Sequence, residues 1–156
     1  MDDQKIDETT VIEEQIKNSG EIMPLIPLRG LTVFPNMVLH FDVGREKSII
    51  ALERAMMLNQ TIFLTAQKDY DTDLPTPNDF YHTGCVAKIR QMLKLPGDTI
   101  RVLVDGQYRA KVASIVQESP YFLCAAARIE ERDIVAETPE QIALIRAAAN
   151  AFREYL

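Results

Sequence analysis

The residues able to do chemistry in this chain are few, and their spacing works against most reactions. The only histidines, His40 and His82, are far apart and have no Cys or His neighbours at metal-ligand spacing, so both read as structural or surface residues and no metal site is expected. Lys47 and Ser48 are adjacent in a segment that reads as helix, where neighbours point about 100° apart, so they do not form a hydrolytic dyad. The run Gly44-Arg45-Glu46-Lys47-Ser48 lacks the G-x-x-x-x-G-K-[ST] spacing of a phosphate loop, and its glycine reads as a helix N-cap. Glu130-Glu131 reads as a solvated strand end. No catalytic residue is assigned, and this segment is not expected to be an enzyme.

Two kinds of binding chemistry remain. Lys88, Arg90 and Lys94 share one face if their strand keeps period two, with Met92 between them, and such a strip on a small β-barrel is a possible RNA surface. Few aromatic residues accompany it, so a solvated outer face is preferred and nucleic acid is not the expected partner. Holding an unfolded chain instead requires sequence-tolerant apolar contact, for which methionine is suited. The candidates are Phe34, Pro35, Met37, Met92 and Leu95, at expected turns and edges. Unpaired backbone on proline-interrupted edge strands could add pairing with an extended peptide.

The elements that must position these residues follow from periodicity and breakers. Residues 1–20 hold six acids against Lys5 and Lys17 and read as a flexible acidic tail. Order is expected to begin near Met23, where Pro24, Pro27 and Pro35 suggest edge strands interrupted by turns. Val38–Val43 reads as a strand. Ile49, Leu52, Ala55 and Met56 then form one apolar stripe on an amphipathic helix, with Gly44 capping it and Asn59 ending it. Thr61–Ala66 is a strand, followed by a long polar loop. From Cys85 to Ile129 the pattern predicts a four-strand antiparallel meander, with turns at Pro96-Gly97, Asp105-Gly106 and Ser119-Pro120. In the third of these strands Ala110, Val112 and Val116 alternate with Arg109, Lys111 and Gln117. Thr138-Pro139-Glu140-Gln141 is a capping box with proline at the first helical position, and Ile142, Ile145, Ala149, Phe152 and Leu156 form an apolar seam behind it. This helix has no C-cap, which predicts that it continues past Leu156 in a longer protein.

Composition agrees with an ordinary globular domain. The 156 residues are 47% hydrophobic and 26% charged, and the net charge of −6 is concentrated in the first twenty. That balance gives no global attraction to nucleic acid or an anionic membrane. Two cysteines in apolar stretches, no secretory signal and no membrane-spanning window point to the cytoplasm.

Longer motifs carry more information. Pro24-Leu25-Ile26-Pro27-Leu28-Arg29, Phe34-Pro35-Asn36-Met37-Val38, Val43-Gly44-Arg45-Glu46-Lys47-Ser48, Gly84-Cys85-Val86-Ala87-Lys88-Ile89, and Val102-Leu103-Val104-Asp105-Gly106 occur in that order. Together they resemble the opening of the Lon family of ATP-dependent proteases, from about Met23 to Ile129. The resemblance implies an α+β fold: a PUA-like open β-barrel, mostly antiparallel, with one packed helix over residues 21–131, then the start of a helical subdomain over residues 132–156. It implies a non-catalytic domain for substrate recognition and assembly. The expected partners are unfolded or tagged proteins and the other subunits of a homo-hexameric ring, with no membrane. ATP and Mg would belong to the family's separate ATPase module, and no cofactor is expected in this segment. A free-standing binding module for RNA or a small ligand is the alternative. Two departures stand out. Pro96-Gly97-Asp98 replaces the family's usual Leu-Pro-Asp-Gly order and favours a type II turn, and Asp42 places an acid where the family is usually apolar.

Overall fold

The computed structural model describes residues 20–130 and 138–156. Six strands and two helices follow in the order β1 (Glu21–Leu28), β2 (Val38–Val43), α1 (Glu46–Met57), β3 (Thr61–Ala66), β4 (Thr83–Leu95), β5 (Thr99–Gln117), β6 (Phe122–Arg128) and α2 (Pro139–Tyr155). The strands form one mixed sheet in the order β2-β5-β4-β3-β1-β6, and an additional β5–β6 pairing bends it back on itself as an open barrel. The reading of residues 1–19 as a tail, and the boundary near residue 131, lie outside the described residues.

β1 is not the interrupted edge strand that its prolines suggest. It lies between β3 and β6, with residues 21–25 paired to β6 and residues 25–28 paired in parallel to β3. Each half thus has its recorded partners on one side, which leaves Pro24 and Pro27 a side where the missing N–H breaks no ladder. The parallel pairing needs a crossover, and the connection that carries it contains α1. Both faces of the β1–β3 pair are buried. Ile26, Leu28, Ile62 and Leu64 join one apolar cluster under α1, while Met23, Leu25 and Phe63 join a second with Phe80 and Phe122. This is why β1 and β3 read as unbroken apolar runs.

α1 begins one residue later than expected. Arg45, extended at φ −73° and ψ 136°, is its N-cap, and Gly44 precedes it. The stripe that α1 buries is Ser48, Ala51, Leu52 and Ala55, with Ile49 and Met56 at its half-buried flanks. Truncating the fully buried Leu52 to alanine would cost about 2–5 kcal/mol.

β5 corrects the largest expectation. Asp105-Gly106 is not a hairpin turn, because one strand runs unbroken through it for 19 residues, pairing with β2 and β4 in its first half and largely with β6 in its second. Gly106 is needed for another reason. A Cβ there would strike the carbonyl of Phe34, so the glycine admits a crossing backbone. The turn at Pro96-Gly97 does form, with Gly97 at φ 84° and Asp98 at φ 58°.

Bulges also break the expected alternation. Beyond Val112 the register with β6 slips at Ala113 and again at Val116, so Ile115 packs toward the second cluster while Val116 is exposed. In α2 the Thr138–Gln141 capping box is present and none of the helix's residues is buried.

Candidate binding surface

The segment joining β1 to β2 builds an apolar tip. Val33 is buried and anchors it, after which the chain turns: the Met37 amide donates to the Phe34 carbonyl at 3.2 Å, with Asn36 left-handed at φ 66°. Asparagine tolerates that conformation better than most residues. The turn is tied to β5 by two bonds, Asn36 N–H to the Gly106 carbonyl at 2.9 Å and Gly106 N–H to the Met37 carbonyl at 2.8 Å. Phe34 remains 51% exposed and Val38 63% exposed, with Met37 between them also exposed. Pro35 is half-buried and lines a polar hollow of about 390 Å³ with Tyr108, Arg109 and Arg128. The Arg128 guanidinium lies 4.6 Å from the Tyr108 ring centre.

Met92 and Leu95 belong to a separate region. They pair with Val102 and Thr99, four and seven residues along β5 from Gly106, or roughly 13 and 23 Å. A bulge decides which way they face. Ile89 pairs with Val104 and Gln91 with Leu103, so Arg90 is the extra residue and the alternation inverts beyond it. Met92 consequently turns inward, half-buried against the cluster under α1, and Leu95 is half-buried at the hairpin end. Leu93, which periodicity passed over, faces out at 53% exposure. With His40, Gln91, Arg101 and Leu103 it lines a depression of about 250 Å³ across β2, β5 and β4. Its only sequence signal is an apolar residue at an apparently inward position.

The same bulge separates the three basic residues. Lys88 pairs across from Asp105, whereas Lys94 pairs across from buried Ile100, so the two lie on opposite faces. Arg90 is bound to Asp105 at 2.8 Å. Arg101 forks onto Asp42 at 2.9 and 3.2 Å, and that pairing holds the Asp42 carboxyl below its ordinary value. Arg90 and Arg101 are each paired with an acid and Lys88 and Lys94 are on opposite faces, so these residues do not line up as one cationic strip for a nucleic-acid backbone.

Among the described residues no three His, Cys, Asp or Glu side chains lie together as a metal site. Cys85 and Cys124 are both buried, and burial pushes the Cys124 thiol up to about 12. His82 bonds the Pro77 carbonyl at 2.9 Å, which fixes the polar loop. Among the described residues no helix is long and apolar enough to cross a membrane.

The sequence that builds this domain matches a known family. The sequence model described as the ATP-dependent protease La (LON) substrate-binding domain matches residues 22–156. The chain belongs to that family. It is 49% identical over 148 residues to the Lon protease of Clostridioides difficile, covering 93% of this chain and 19% of that protein. The Lon protease of Heliobacterium modesticaldum is 44% identical over 144 residues, covering 92% and 18%. The chain thus spans about a fifth of the length of these Lon relatives. In fold, it is similar to the N-terminal domain of the Mycobacterium avium complex Lon protease, with a TM-score of 0.62 at 17% identity over 86% of this chain and 71% of the other. The Lon N-terminal domain protein of Xanthomonas campestris gives 0.58 at 12% identity, over 81% and 70%. The α+β class expected from the Lon resemblance agrees with these structures.

Proposed function

We propose that this domain holds unfolded or tagged polypeptides for an ATP-dependent Lon-type serine protease, gripping them by the tip at Phe34, Met37 and Val38 and by the edge of β2. The observation carrying this reading is the tip itself: three exposed apolar side chains within five residues, at a turn fixed by paired backbone bonds to Gly106. β2 stands at the end of the sheet order with β5 on one side only, so its other side offers backbone groups to an extended chain. Each contact is weak. Covering the exposed half of a phenylalanine gains about 1–1.5 kcal/mol, less than the cost of ordering a flexible peptide. Assembly of six copies into a ring in the cytoplasm would raise the effective affinity. In this reading, ATP and Mg act in an ATPase module of the parent protease, which degrades misfolded and regulatory proteins.

The test replaces Phe34, Met37 and Val38 together with serine in the full-length protease. Degradation of a chemically unfolded reporter should slow several-fold while ATP hydrolysis and ring assembly are kept. Unchanged degradation by an assembled ring would rule the tip out.

A further inference from the structure

We propose that the first turn of α1 binds a carboxylate of a polypeptide ligand, in a cleft built by Arg45, Ser48 and the loop at residues 72–76. The proposal takes the kind of ligand from the polypeptide-holding reading above; the site itself is separate from the tip.

Three independent features converge there. α1 starts without a side-chain cap, so first-turn N–H groups lack the acceptor that usually satisfies them. Ser48 sits in that turn at 5% exposure, and its hydroxyl has no hydrogen-bond partner among the described residues. No fully enclosed side-chain oxygen or nitrogen among those residues lacks a partner, so this hydroxyl opens onto the two adjoining depressions that Ser48 lines, of about 320 and 330 Å³.

Arg45 lines the same two depressions. Its Nη2 donates to Gln67 Oε1 at 2.9 Å and to the Thr72 carbonyl at 3.1 Å, both neutral acceptors. Arg29 is matched by Asp73 at 2.7 Å, but among the described residues no carboxylate pairs with Arg45. Burial and then the nearby Arg29 lower its pKa from the ordinary value, while the Asp73 carboxylate offsets part of that effect from a distance. An incoming anion would relieve that strain on the charge and accept from Ser48 and the helix end together. Lys47, held 4.7 Å from the Phe122 ring centre, adds positive charge to one wall.

The surroundings select among anions. Leu25, Pro27, Leu74 and Pro75 make part of the cleft apolar, while Glu46, Asp73 and Glu118 line it with negative charge. A phosphate dianion or a polyanion would meet those three acids, at a cost that grows with its charge. A single carboxylate beside an aliphatic side chain satisfies Arg45 and Ser48 and fills the apolar wall.

The experiment titrates the full 156-residue chain with N-acetyl-leucine, N-acetyl-leucinamide and inorganic phosphate, following backbone amide resonances. N-acetyl-leucine should shift the Glu46, Lys47 and Ser48 amides saturably, with an affinity on the order of millimolar for so small a ligand. The uncharged amide and phosphate should shift them far less. Ser48→Ala should weaken N-acetyl-leucine about tenfold with little change to the fold, and Arg45→Gln should abolish the response. Equal shifts from acid and amide, a stronger response to phosphate, or no response at all would overturn the carboxylate site. Any of these results, alongside intact binding of unfolded protein at the tip, would leave the polypeptide-holding reading standing.

Discussion

The Gly106 amide donates to the Met37 carbonyl at 2.8 Å, and through this bond the longest strand of the sheet fixes the posture of the exposed apolar tip. The return bond from Asn36 to the Gly106 carbonyl closes a backbone pair at a position of β5 where a side chain would collide with Phe34. Contact residues and barrel are therefore mechanically coupled: what holds Phe34 outward is the absence of a side chain on another strand.

Replacing Gly106 with alanine tests that coupling. The new methyl group must push away the Phe34 carbonyl, which is backbone and cannot rotate aside. A loss of about 1–3 kcal/mol in unfolding free energy is expected from a urea titration. Binding of unfolded protein should fall as well, because the tip loses its tether. Retention of both would show that the turn holds its shape without β5.

Met92 and Leu93 should behave in opposite ways. Met92 packs against the buried cluster, so Met92→Ala should cost about 1–3 kcal/mol of stability. Leu93 is more than half exposed, so Leu93→Ser should change stability by about 0.5 kcal/mol or less. The same two variants, compared by thermal unfolding, would show the reverse order if the bulge at Arg90 were absent.

The thiols should be silent in the folded domain. Cys124 is fully buried with its pKa pushed to about 12, and burial likewise raises that of Cys85. At about pH 8 a thiol reagent should label neither until the domain unfolds, because the reactive thiolate is barely populated. Labelling should then track global unfolding and accelerate with urea. Prompt modification of Cys85 in the absence of denaturant would contradict the packing around it.

Acid should loosen the polar loop. The Asp79 carboxylate accepts from the Thr76 amide at 2.7 Å and its hydroxyl at 2.9 Å, and these bonds hold its pKa below the ordinary 3.8. A depressed carboxyl contributes stability that is present above its unfolded value and disappears as pH falls through its folded one. Asp79→Asn should thus flatten the loss of thermal stability as pH falls below the ordinary carboxyl value of 3.8, while lowering stability at neutral pH. The Asp42–Arg101 pair acts in the same direction, so the variant keeps part of the acid slope.

Local chemistry was readable wherever neighbouring residues alone decide conformation. The Thr138–Gln141 capping box, the amphipathic α1, the limits of β2 and β3, and the left-handed Gly97 all follow from short-range rules. The family motifs were equally plain, since they depend only on order along the chain. Asp105-Gly106 shows where such reading stops. As a dipeptide it signals a turn, yet its glycine serves a backbone that approaches from some seventy positions earlier in the chain, at Phe34. Bulges at Arg90, Ala113 and Val116 had the same effect on the alternating pattern. One unpaired residue inverts every side chain beyond it, and whether a residue is unpaired is settled by the partner strand. That is why the exposed residue is Leu93 rather than Met92, and why Lys88 and Lys94 part company. Residue types along the chain set which side chains are apolar or charged; register between distant strands assigned each of them to a face.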